Sequence, residues 1–106
     1  MADETKQEPV LDLLASMTVE SLEASSLDTE TLMLVRIAAL VAVDAPAASY
    51  LMNLPAAGEQ GIDTDQVQGV LTAVAPIVGA PRVASAVTHM AQALGLAIDL
   101  EQAANR

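Results

Sequence analysis

Residues 32–43, LMLVRIAALVAV, decide the fold of this chain. Apolar side chains fill every position but Arg36, so no solvent face can be drawn on a helix built from them. A helix that is apolar nearly all round is a central, buried one. Asp28 or Ser26 stands where an N-cap is needed, which gives a helix from about Thr29 to Val43.

Working outward toward the N-terminus, Pro9 can open a short helix over PVLDLLASM, and Thr18-Val-Glu-Ser starts a second piece ending near Ser25-Ser26. Toward the C-terminus, Asp44 is placed to cap the next helix, with Pro46 in its first turn, where a missing N–H costs nothing. That helix runs toward Gly58 or Gln60, with Pro55 bending it, and Gly61 stops it. Asp63 with Gln66 three residues on reads as a capping box. Val67, Val70, Leu71, Val74 and Ile77/Val78 then recur at helical spacing. Gly79 ends that helix and Pro81 opens the last long one, whose stripe is Val83, Val87, Met90 and Leu94. Gly95 closes it. No run alternates with period two and no repeat of 20–50 residues is visible. The expectation is an all-α fold, a compact domain of about five to six helices spanning residues 1–106. Within it, 1–26 form an acidic helical segment, 27–94 the core and 95–106 a tail.

Composition limits what such a domain can be. Apolar residues make up 53% of the 106 positions, mean hydropathy is +0.43, and Tyr50 is the sole aromatic. The core must come from Leu, Val, Ile, Met and Ala, each contributing roughly 25 cal/mol per Å² buried. That much apolar surface on a small chain predicts burial against copies of itself. The net charge is −10, and eight of the 14 acids precede residue 32. An acidic chain without a basic patch is repelled by phosphate, so neither nucleic acid nor an anionic membrane is expected as partner. The absence of cysteine excludes disulfides and thiol chemistry. The acidic start MADETKQEP is the reverse of a signal peptide, and the uncharged runs 45–58 and 66–81 fall short of a bilayer span. The expectation is a cytoplasmic protein.

The order LDTETLMLVRIAALVAV (27–43), then a helix stepping by fours through Asn53 and Ala57 to Gly61, then IDTDQVQGVLTAVAPIVGAPRVASAV (62–87), resembles the carboxymuconolactone decarboxylase-like family. That family includes the alkyl hydroperoxidase D-like proteins. The likeness covers roughly 27–94 and implies an alkyl hydroperoxidase D-like fold packed into a trimer or hexamer. The peroxidase branch carries Cys-x-x-Cys-x-x-x-His, and counting back from Gly61 puts those positions at Pro46, Ser49 and Asn53. Its acidic residue falls near Leu34. All of these depart from the pattern. Serine cannot run a sulfenic-acid cycle, so thiol peroxidase activity is not expected.

The remaining candidates for chemistry are His89, Arg82, Arg36, Ser49 and Asn53. His89 is the one side chain suited to proton transfer near neutrality. It shares a polar stripe with Arg82, Ser85 and Gln92, which reads either as a cleft lining between subunits or as a solvated helix surface. Ser49 and Asn53 share a face one turn apart, without the strand-turn-helix elbow of a nucleophilic serine. Arg36, alone in an apolar helix, must find a partner: Glu30, Asp44, a helix terminus, the surface, or a ligand carboxylate. One histidine and scattered acids make no metal site, and no cofactor is expected. Two functions follow. The first is a catalytically degenerate member of the family, acting as a homo-oligomeric scaffold or binding module. The second is a cofactor-independent decarboxylase-like enzyme on a small organic acid or lactone, with an interface site using His89 and Arg82 or Arg36.

Overall fold

The computed structural model describes residues 2–104, and the side chains of all these except residues 2–7 and 97. The charges of Asp3, Glu4, Lys6 and Arg106 fall outside the described side chains. Five helices make up the described residues: α1 (Ala2–Ala24), α2 (Thr29–Ala42), α3 (Ala47–Glu59), α4 (Thr64–Val78) and α5 (Ala80–Ala104). No strand occurs among the described residues.

Helix α2 starts where its cap predicts. The Asp28 carboxylate accepts from the Thr31 N–H at 2.8 Å, and this bond holds its pKa below the usual carboxylate range. Leu32, Met33, Ile37 and Val41 are buried, and the last two are completely enclosed. The helix is central but not buried all round, since Val35 is 52% exposed.

The turn after α2 departs from expectation. Asp44 does not cap α3; Pro46 occupies the N-cap position without a side-chain cap. Asp44 instead adopts a left-handed φ of 55°, which turns its carboxylate toward α5, where it accepts from Ser85 Oγ at 2.6 Å. Asp tolerates this conformation better than most residues. Within α3, Tyr50 and Ala57 face the core, and Pro55 lies on the exposed side.

Gly61 breaks the chain with φ 90°, and both halves of the capping box are made: Asp63 Oδ1 accepts from the Gln66 N–H at 2.8 Å, and Gln66 Oε1 from the Asp63 N–H at 3.0 Å. Val67, Val70, Leu71, Val74 and Val78 of α4 pack against the core. Ile77 does not, and is 86% exposed. At 100° per residue it falls about 80° off the axis of that stripe, whereas Val78 lies near it. Gly79, with φ 89°, is the single residue between α4 and α5.

Helix α5 corrects two expectations. Gly95 does not end it; the helix runs on to Ala104. Its core face is Ala86, Met90 and Ala93, with Val83 half-buried, while Val87 and Leu94 sit on the flank and stay about half exposed. The small alanines bring the α5 backbone close to its neighbours. By length and composition α5 also meets the description of a membrane-crossing helix, with 18% of its most apolar window buried.

Helix α1 is one helix rather than two. Pro9 lies inside it, and the Thr18 hydroxyl, expected to help start a second piece, donates back to the Leu14 carbonyl at 3.0 Å. In the assembled chain α3 packs chiefly on α5 and α2, and α2 on α4. Helix α1 touches this four-helix core only slightly, leaving Val10, Leu11, Leu13, Leu14 and Met17 more than half exposed.

Candidate functional site

The sequence candidates separate into two places. Arg36 and Asn53 meet in a cleft where α1 crosses α2 and α3. The Arg36 Nη2 donates to the Thr18 carbonyl at 3.3 Å and to Ser21 Oγ at 3.2 Å, both on α1. Neither Glu30 nor Asp44 is its partner. Glu30 accepts from Gln66 Nε2 at 2.7 Å, tying α2 to α4, and Asp44 is taken by Ser85. Asn53, half-buried, donates from Nδ2 to the Ser49 carbonyl one turn back at 2.8 Å. Two adjoining hollows of about 260 and 300 Å³ flank this pair, and Thr18, Arg36 and Asn53 line both. Glu59 and Gln60 stand at the rim of the first, and Met33 and Met52 form its apolar wall.

The second place is the seam between α3 and α5. Ser85 is held by Asp44 at one end, and Leu54 shares a groove with Met90 at the other, so the two helices run parallel. Tyr50 falls between these points. It is completely buried, and its hydroxyl meets no hydrogen-bond partner among the described residues. Burial pushes its pKa up, and the Asp44 charge acts in the same direction. His89, one turn beyond Ser85, is half-buried, with Nδ1 enclosed and equally without a partner. It is therefore not on a fully solvated stripe. Arg82 and Gln92 are exposed, as is Pro46, while Ser49 is half-buried.

The structure thus joins Arg36 to Asn53 but not to His89, which does not line the cleft. Ser49 and His89 share no hydrogen bond among the described residues. No group of three or more His, Cys, Asp or Glu that could hold a metal gathers among them either. Sequence reasoning missed Tyr50 and the Asp44–Ser85 bond. The one available signal was a single phenol in an alanine-rich helix, whose hydroxyl had to be placed somewhere.

A third feature is an apolar groove of about 420 Å³ between α4 and α5, walled by Val67, Leu71, Val87, Met90 and Leu94 and floored by Leu54. Val87 and Leu94, which the sequence assigned to the core, line it. Comparison with protein-family models, with curated proteins and with solved structures finds no match for the chain.

Proposed function

We propose that this chain is a catalytically degenerate carboxymuconolactone decarboxylase-like protein that works as a homo-oligomeric scaffold or binding module, with a trimer or hexamer the favoured assembly. Surface area is the observation that carries this reading. The chain exposes 7331 Å², whereas a compact chain of 10.9 kDa exposes about 5,600 Å². Its radius of gyration is 15.4 Å against about 13 Å for a compact domain of this length. Val10, Leu11, Leu13, Leu14 and Met17 on α1, each more than half exposed, make part of this surface apolar, which favours burial against another copy. Light scattering at micromolar concentration should give a multiple of 10.9 kDa; a monomer mass would overturn the scaffold reading.

The degenerate half of the proposal rests on Pro46, Ser49 and Asn53 standing where the resembled family keeps its reactive groups. A peroxide assay supplied with a dithiol reductant should stay at background, because no atom in the chain can form a sulfenic acid. The decarboxylase-like alternative needs a second copy to bring a cation to His89, since Arg36 lies in the α1 cleft and Arg82 is exposed on the first turn of α5. Turnover of a small lactone or organic acid, abolished by His89→Ala, would favour that alternative.

A further inference from the structure

We propose that the cleft between α1, α2 and α3 is a binding site for a small organic monocarboxylate, held by the Arg36 guanidinium beside Asn53 and covered by α1. The inference specifies the ligand of the binding module and rests on that reading. It does not depend on the number of copies in the assembly.

The guanidinium is the starting point. Arg36 is half-buried, and its two hydrogen bonds, at 3.2 and 3.3 Å, go to a hydroxyl and a backbone carbonyl. Charge-assisted bonds from arginine to a carboxylate are shorter, about 2.7–2.9 Å, and usually paired. Both existing bonds use Nη2. The N–H groups on Nε and Nη1 meet no acceptor among the described residues, so most of the fork is free to receive a planar anion. The three carboxylates nearest in sequence are engaged elsewhere, Glu30 by Gln66, Asp28 by the Thr31 N–H and Asp44 by Ser85.

Space and polarity set the ligand class. The hollows on either side of Arg36 measure about 260 and 300 Å³, room for a molecule of a few carbons rather than a nucleotide. Met33, Met52 and Leu22 give an alkyl body somewhere to lie. Asn53 has spent one N–H on Ser49, which leaves its second N–H to donate. Glu59 at the rim and a net charge of −10 work against dianions and phosphates, leaving a single carboxylate as the anion best tolerated. Helix α1, so slightly attached to the core, can shift to admit it.

The test is a titration of the full-length, isotope-labelled protein with hexanoate, followed by amide and Arg Nε–H resonances, with hexan-1-ol as the neutral probe of equal length. The expected result is saturable shifts at Thr18–Leu22, Arg36 and Met52–Ala56, with hexanol about tenfold weaker or more, because it lacks the charge. Arg36→Gln should weaken hexanoate by about tenfold, and Arg82→Gln should leave it unchanged. Equal binding of alcohol and acid, shifts confined to the Leu54–Leu94 groove, or full affinity in a folded Arg36→Gln variant would each overturn the proposal. If Arg36→Gln does not fold, the acid–alcohol comparison on the unaltered chain decides. Light scattering on the same sample reports the assembly separately, so failure of the scaffold and failure of the site are told apart.

Discussion

At the scale of single residues, Tyr50 shows how little a buried position reveals of its polar needs. Its ring is the largest fully enclosed side chain, while its hydroxyl lies unpaired near the Asp44 charge. An unsatisfied buried hydroxyl costs about 1–3 kcal/mol, so Tyr50→Phe should leave stability unchanged or raise it by about 1 kcal/mol at neutral pH. Because burial favours the neutral phenol, the contribution of Tyr50 is whole below its ordinary pKa of 10.0 and is lost as pH rises through the raised value. Urea titrations should therefore show the unaltered chain weakening above pH 10 and the Phe variant weakening less. A loss of more than about 1 kcal/mol at neutrality would mean that the hydroxyl has a partner in the assembly. Arg36 is legible as a candidate because it stands alone in an apolar helix, and His89 because it is the one side chain suited to proton transfer near neutrality. Their surroundings were not legible. Arg36 is answered by Thr18 and Ser21, on a helix that the sequence divides in two, and nothing local announces that crossing.

At the scale of elements, what the sequence specified well was punctuation. Asp28, the Asp63–Gln66 box, Gly61 and Gly79 all act within four residues of themselves, so a linear reading captures them. What it missed depends on packing. Size-based reading favoured Val87 and Leu94, whereas the close approach of α5 to its neighbours selects Ala86 and Ala93. Pro9, placed at the opening of a helix, and Gly95, placed at the end of one, each sit inside a helix that continues on both sides. Two pairs of substitutions check these assignments. Gly69→Ala should stabilise α4 by about 0.5–1 kcal/mol, since an added methyl meets nothing within 4 Å, while Gly61→Ala should destabilise because φ there is 90°. Leu71→Asp should cost about 2–4 kcal/mol, a large part of a total of roughly 5–15, while Gln68→Ala stays within about 0.5. Denaturation midpoints measure all four. Equal effects at 68 and 71 would mean that the core face of α4 has been assigned to the wrong side.

At the scale of the whole molecule, α1 carries the exposed apolar surface that the other helices do not cover. Its acids, Glu8, Asp12, Glu20 and Glu23, are interleaved with Leu11, Leu13, Leu14 and Met17, all more than half exposed. Leu13→Ser should lower the assembled mass in light scattering without reducing the helical circular dichroism of the core; an unchanged mass would place the subunit contact elsewhere. The pairing of α2 with α4 and of α3 with α5 has a further consequence, for biosynthesis. These two pairings join second neighbours along the chain, so although α2 packs on α3 and α4 on α5, neither consecutive pair covers its apolar faces completely by itself. The residues that close the α3 side, Ala86, Met90 and Ala93, belong to α5. The apolar faces of α2 and α3 must therefore stay partly uncovered until α4 and α5 have been made.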